Sequence, residues 1–136
     1  MIILSLVELL KLKDEKLSWH RADLLNKYEL IVALQAVDYV LINMPSSSFN
    51  DENKLLRMFD NILSACDIVA PKKIIFNTSM FVAKGNIEFQ APRVRREMIN
   101  RLQQSQHSNV AVKPVIYMDN LLAAWTRPGI TKKNIF

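Results

Sequence analysis

The chain has 136 residues, of which 50% are hydrophobic and 23% are charged, and its formal net charge is +5. This length suits a single domain, and the composition excludes a disordered chain. The longest apolar runs, Ile2–Val7 and Val37–Met44, are far shorter than the roughly 20 residues that cross a bilayer, so no membrane partner is expected. The one cysteine, Cys66, excludes an internal disulfide framework, and we expect a cytoplasmic protein.

The positive charge is spread along the chain and has one dense group of four arginines. These are Arg93, Arg95, Arg96 and Arg101. Such a group is typical of the solvated face of a helix, and it is also suited to phosphate groups. No helix-turn-helix, zinc-binding or aromatic-basic motif accompanies it, so the sequence does not favour a nucleic-acid partner. His20 and His107 stand apart from Cys66 in sequence, and no metal site is predicted.

Short strand-like runs alternate with longer helical ones, which predicts a parallel sheet with helices on both faces. The predicted strands are Ile2–Val7, Leu17–Arg21, Val37–Asn43, Lys73–Asn77 and Asn109–Val115. The predicted helices are Lys27–Gln35, Asp51–Val69, Pro92–Gln104 and Asp119–Trp125. Because Val37–Asn43 is almost continuously apolar, we expect that strand to be buried on both faces.

The segment Asp51–Val69 carries the clearest helical pattern. Its apolar residues recur at steps of three and four and form one stripe: Leu55, Phe59, Ile62, Leu63, Cys66 and Val69. Cys66 lies on this stripe, so we expect a packed core thiol and not a nucleophile. Asn26 is the expected cap of the preceding helix, and Pro71 is expected to end this one.

Ligands of parallel α/β sheets bind beyond the carboxyl ends of the strands. This rule directs attention to Asp23, to the loop Asn43–Ser48, to Asn77–Met80 and to the segment after Val115.

Four segments around these strand ends resemble the NmrA-like branch of the atypical short-chain dehydrogenase/reductases. They are HRADLLNKYELIVALQAVDYVLINMP, IVAPKKIIFNTSMF, APRVRREMIN and KPVIYMDNLL. The resemblance covers most of the chain from Leu17 to Leu122. It implies an α/β fold, a partial Rossmann-like three-layer arrangement with a mainly parallel sheet, as a single NAD(P)-binding domain over residues 1–136.

The resemblance also implies roles for individual residues. Asp23 and Leu24 match the pair beside the adenine in the family, although Asp23 alone also suits a turn or a helix cap. Asn43, Met44 and Pro45 match the loop under the cofactor's ribose and pyrophosphate, or form an ordinary strand-ending turn.

Ser79 matches the serine that polarises the substrate carbonyl in active members, while a Thr-Ser pair after a strand is also a common turn. Phe89 and Arg93 stand where active enzymes carry a proton-donating tyrosine and a lysine that holds the ribose. Phenylalanine cannot donate a proton, whereas Arg93 retains donors for a ribose or a phosphate.

Relative to the family pattern, the first strand and its glycine-rich pyrophosphate turn are expected to be missing, and the C-terminal substrate region is expected to stop early. Glu8 follows the strand Ile2–Val7, where an acidic side chain favours NAD over NADP. Without this turn, the chain has either retained an NAD(P)-binding site or lost it.

Three functions follow as hypotheses. The first is an NmrA-like NAD(P)-binding protein related to oxidoreductases but catalytically impaired. The second is a non-catalytic interaction protein that retains the fold, and the third, which the motifs favour least, is a nucleic-acid binder. Because a missing central strand would leave unpaired backbone groups at its neighbours, we also expect a homo-oligomer.

Overall fold

A computed structural model of the chain describes residues 20–80, 82 and 89–115. The elements in chain order are α1 (Lys27–Leu34), β1 (Tyr39–Asn43), a short 3-10 helix (Ser46–Asn50), α2 (Glu52–Val69), β2 (Lys73–Asn77), α3 (Gln90–Gln104) and β3 (Asn109–Val112). The predicted strand Ile2–Val7 and the predicted helix Asp119–Trp125 lie outside the described residues. Of the predicted strand Leu17–Arg21, only His20 and Arg21 are described, and neither is in a strand.

The three described strands form one parallel sheet in the order β1-β2-β3. The register pairs Tyr39 with Lys73 and Asn43 with Asn77, so β1 and β2 begin and end at the same level. Both connections step across the sheet in the same direction, and right-handed crossovers therefore place α2 and α3 on one face. The predicted parallel α/β architecture is confirmed.

The core lies between that face and the helices. Val40 and Ile42 of β1 and Ile74 and Phe76 of β2 are buried together with the apolar stripes of α1, α2 and α3 in a single cluster. Leu41, on the opposite face of β1, is only partly buried, and Tyr39 is 53% exposed. Within the described residues β1 is thus fully buried on one face and not on two, because all three described helices pack on the same side. The expected helical layer on the other face of the sheet is not seen among these residues.

The helix boundaries follow local sequence signals. The side chain of Asn26 accepts hydrogen bonds from the amides of Tyr28 and Glu29, which confirms it as the cap of α1. Asp51 caps α2 in the same way through the amide of Lys54, so this helix begins one residue later than predicted. Ala70 ends α2 in a left-handed conformation with φ 50°, immediately before Pro71.

No helix within residues 20–80, 82 and 89–115 is long and apolar enough to cross a membrane. Over the same residues, no three His, Cys, Asp or Glu side chains are grouped as ligands for a metal ion.

Candidate functional site

Polar side chains meet where β1 and β2 end. The Ser79 hydroxyl donates a 2.8 Å hydrogen bond to Oδ1 of Asn43, and the Ser79 amide donates a 3.0 Å bond to Oδ1 of Asn77. Asn43 and Asn77 are paired in the register, so two neighbouring strand ends hold one serine between them. The structure therefore brings together two of the predicted site residues, Asn43 and Ser79. It adds Asn77, whose part in the turn was not predicted.

Ser79 adopts a left-handed backbone conformation with φ 59°. A residue with a Cβ atom loses about 1–2 kcal/mol in this region, so the surrounding contacts must hold the turn in place. Asn77 is one such contact, because its side-chain oxygen accepts the amide of Ser79. Unfavourable backbone conformations of this kind are concentrated at functional sites, which makes Ser79 a stronger candidate than its sequence context alone did.

Thr78 is the buried residue that attaches this turn to its neighbours. It is only 1% exposed, and its hydroxyl lies 2.7 Å from the carbonyl oxygen of Met80 and 3.1 Å from that of Val112. Its amide donates to the same Val112 carbonyl at 3.0 Å. The turn that carries Ser79 is therefore tied to the end of β3 as well as to β1.

Arg95 lies beneath the same turn and is 5% exposed. Its Nε donates to the Thr78 carbonyl oxygen at 2.6 Å and its Nη1 to the Ala91 carbonyl oxygen at 3.0 Å. The guanidinium carbon lies 3.4 Å from the centre of the Phe49 ring, a cation–π stacking geometry. Burial lowers the pKa of the Arg95 guanidinium, since the charged form loses hydration.

The predicted solvated arginine face is therefore wrong for Arg95. The signal was present in the sequence, because Arg95 precedes Met98, Ile99 and Leu102 by three, four and seven residues and so lies on the buried stripe of α3.

Arg93 and Arg101 do fit the surface interpretation, and both form ion pairs between α2 and α3. Nη2 of Arg93 lies 2.6 Å from Oε2 of Glu52, so the first turns of the two helices are joined beside the strand ends. Arg101 pairs with Glu97 at 2.8 Å and with Asp60 at 2.5 Å, and these hydrogen bonds, first that to Glu97, raise the pKa of its guanidinium. Arg93, to which the resemblance assigns the binding of a ribose or a phosphate, is thus paired with the carboxylate of Glu52.

Asp23 forms a turn ahead of α1. Its carboxylate accepts the amide of Leu25 at 2.9 Å, and its own amide donates to Oε2 of Glu29 at 2.8 Å. The Leu24 carbonyl oxygen accepts a 3.1 Å bond from Nδ2 of Asn61, which lies in the middle of α2. Asn61 is about 14 Å along the helix axis from Glu52 at a rise of about 1.5 Å per residue. The Asp23–Leu24 pair therefore lies at a different level of α2 from the Glu52–Arg93 ion pair.

The other two predicted loop residues have distinct environments. Met44 is 3% exposed and belongs to the core, while Pro45 is exposed and precedes the 3-10 helix. Phe89, at the tyrosine position of the resemblance, is 79% exposed just before α3 and carries no ionisable group. The arrangement offers hydrogen bonds at the strand ends, and Phe89 cannot supply a proton there.

No protein-family model matches the chain, and no curated protein does. Solved structures do match. A nucleoside-diphosphate-sugar epimerase from Staphylococcus aureus superposes with a TM-score of 0.65 at 22% identity, covering 83% of this chain and 40% of that one. The triphenylmethane reductase of Citrobacter sp. gives 0.63 at 16% identity, covering 82% and 37%.

The same reductase in complex with NADP(H) gives a TM-score of 0.61 at 12% identity, covering 82% of this chain and 38% of that one. The chain has the fold of part of these proteins, a partial Rossmann-like α/β fold, and it spans about 40% of the epimerase's length.

Proposed function

We propose that the chain is an NAD(P)-binding domain of the NmrA-like kind, impaired in hydride transfer, with its cofactor site at the carboxyl ends of β1 and β2. The observation that carries the proposal is the hydrogen bond between Ser79 and Asn43, which joins two strand ends at the edge where Rossmann-like sheets bind ligands. A protein of the same fold, the Citrobacter reductase, has been crystallised with NADP(H).

Two groups of residues are candidates for contacts with the dinucleotide. Asn43 and Ser79 offer polar contacts for the ribose and nicotinamide end, and the exposed ring of Pro45 offers an apolar one. Asp23 lies at a separate level of the fold and retains carboxylate lone pairs, beyond its bond to Leu25, for an adenine amine. Arg93 would bind a phosphate in competition with Glu52, which pairs with its Nη2.

Impaired chemistry follows from the side chain at residue 89. Reduction of a carbonyl by hydride requires a proton for the oxygen, and phenylalanine has none to give. Ser79 would still orient a bound group through its hydroxyl. The proposal is therefore a domain that binds the dinucleotide without turning over a carbonyl substrate efficiently.

The test is calorimetric titration of the full chain with NADPH and then with NADH. We expect saturable binding that Ser79→Ala weakens about tenfold, the effect of one hydrogen bond of about 1.4 kcal/mol. Ser64→Ala is the matched control, since Ser64 lies on α2 far from the strand ends and its change should leave the dissociation constant unaltered. The absence of any binding heat from the wild-type chain up to millimolar cofactor would contradict the proposal.

A second candidate, an interaction protein that assembles through its sheet, is favoured by one observation. Within residues 20–80, 82 and 89–115, β1 pairs only with β2. A strand edge with unpaired amide and carbonyl groups is a template for another chain.

For this candidate we expect a homodimer or larger assembly in light scattering coupled to size-exclusion chromatography at tens of micromolar chain. Extension of the sheet by a second copy would pair the edge of β1 that has no neighbour within the described residues. A single monodisperse peak of monomer mass across that concentration range would contradict the assembly. NADPH binding by such a monomer would leave the first proposal intact.

A further inference from the structure

One buried side chain of α3 joins this helix to two other segments around the Ser79 turn. The Arg95 guanidinium bonds to the carbonyl oxygens of Thr78 and Ala91 and stacks on the ring of Phe49. Thr78 precedes Ser79, Ala91 lies in the first turn of α3, and Phe49 lies in the 3-10 helix that follows Pro45. Ala91 and Arg95 belong to the same helix, whereas Thr78 and Phe49 are 17 and 46 residues away, so Arg95 attaches both distant segments to α3.

Each attached segment carries part of the proposed cofactor site. The Thr78 carbonyl belongs to the turn that presents the Ser79 hydroxyl, and the first turn of α3 carries Arg93. The 3-10 helix ends the loop that begins at Asn43 and Pro45. A shift of any segment would change the distances between the groups that meet the ligand.

We propose that Arg95 is a positioning residue that holds the Ser79 turn in its left-handed conformation and sets it against the loop after β1 and the first turn of α3. The binding consequence of this inference rests on the proposed function. The conformational consequence does not, because it concerns the Ser79 turn in the free protein.

Arginine suits this task for a geometric reason. Its planar guanidinium places Nε and Nη1 in a fixed fork, so one group donates to two carbonyl oxygens while its flat face stacks on a ring. Lysine retains the charge but has a single nitrogen on a flexible stem, and it cannot reproduce both the fork and the stacking. Arg95→Lys therefore removes the geometry while preserving the charge, which separates positioning from electrostatics.

The experiment measures amide hydrogen exchange by NMR in the full chain and in Arg95→Lys. The Ser79 amide, bonded to the Asn77 side chain, reports the turn. The Ile74 amide lies on the central strand β2, is bonded to the Ser108 carbonyl oxygen and reports global opening. We expect exchange at Ser79 to accelerate at least tenfold while exchange at Ile74 changes less than twofold. Arg57→Lys, on the exposed face of α2, is the matched control and should change neither amide.

A merely structural role predicts a different result, in which protection at Ser79 and Ile74 falls in parallel, and that outcome would overturn the inference. If Arg95→Lys does not fold, Phe49→Leu removes the stacked ring with less disturbance. It should still accelerate exchange at Ser79 more than at Ile74, and equal acceleration would again overturn the inference.

The NADPH titration of Arg95→Lys separates this inference from the function it builds on. If the wild-type chain binds, we expect the dissociation constant of the variant to rise about tenfold, and an unchanged constant would overturn the positioning role. If the wild-type chain does not bind, the proposed function fails, while selective exchange at Ser79 would still establish Arg95 as the residue that holds the turn.

Discussion

Replacing Phe59 with alanine is expected to lower the free energy of unfolding by about 3–5 kcal/mol. Phe59 is 0% exposed in the middle of α2, and its ring centre lies 5.2 Å from that of Phe76 on β2, with the rings tilted by 56°. Truncation removes this aromatic contact and leaves a cavity between the helix and the sheet, because neighbouring side chains close such space only partly. A loss of this size is a large share of the roughly 5–15 kcal/mol that stabilises a typical domain.

The measurement is urea unfolding followed by circular dichroism, with Phe89→Ala as the matched control. Phe89 is 79% exposed, so the same chemical change there should alter the free energy of unfolding by less than about 0.5 kcal/mol. Equal losses in the two variants would contradict the core described above. An unfolded Phe59→Ala chain beside a folded Phe89→Ala chain would agree with it.

The contrast between these two phenylalanines shows what local sequence pattern predicts well. The buried residues of α2 are Leu55, Phe59, Ile62, Ala65 and Cys66, and four of these five belong to the predicted apolar stripe. The spacing of apolar residues was enough to predict this buried face, because residues three and four positions apart lie on the same face of a helix. The strands Val37–Asn43 and Lys73–Asn77 were recognisable for a similar reason, as short apolar runs between turn residues.

Contacts between distant segments were beyond that reasoning. The ion pair of Arg93 with Glu52 joins residues 41 positions apart, and the bond of Ser79 to Asn43 joins residues 36 apart. The sequence predicted that Asn43 and Ser79 lie at the same edge of a sheet. Whether the two side chains touch depends on which strands are neighbours and on their register. The partial exposure of Leu41 depends likewise on which face receives the helices, a property of the topology.

For the candidate site, the turn chemistry was harder to predict than its location. A Thr-Ser pair after a strand is commonplace, and nothing local indicated that Ser79 would adopt a positive φ without being glycine. The conformation depends on Asn77 and on buried groups beneath the turn, Thr78 and Arg95. Asp23 is a second example, because its sequence context suited either a turn or an adenine contact, and in the structure its carboxylate completes a turn.

Cys66 gives the largest expected change in a rate. Its thiol is buried on the core stripe of α2, and burial, with a smaller contribution from the charge of Asp67, raises its pKa from 9.0 to about 12. Thiolate is the reactive form, and each unit of pKa changes its fraction about tenfold well below the pKa. At pH 8 we expect alkylation by iodoacetamide to be at least about a thousandfold slower in the folded chain than in guanidinium.

Because Cys66 is the one cysteine, incorporated label counted by mass spectrometry reports this thiol alone. Equal rates in the folded and denatured chains would contradict the buried environment. The variant Cys66→Ala is the control for adventitious labelling of other groups, and it should incorporate no thiol-specific label under either condition.

The same shift makes stability depend on alkaline pH. The pKa of this thiol is higher in the folded chain than in the unfolded one, so its contribution to stability is fully present below about pH 9. The contribution is lost as pH rises toward about 12, because the unfolded chain then binds fewer protons than the folded chain. The shift from 9.0 to about 12 corresponds to roughly 4 kcal/mol across that range. Lysines and tyrosines titrate there too, so the informative quantity is the difference in unfolding free energy between the wild-type chain and Cys66→Ala. Between pH 9 and 11 the wild-type chain should steadily lose unfolding free energy relative to Cys66→Ala, because only the wild-type chain has this thiol to ionise. A difference that stays constant over this range would place Cys66 in contact with water.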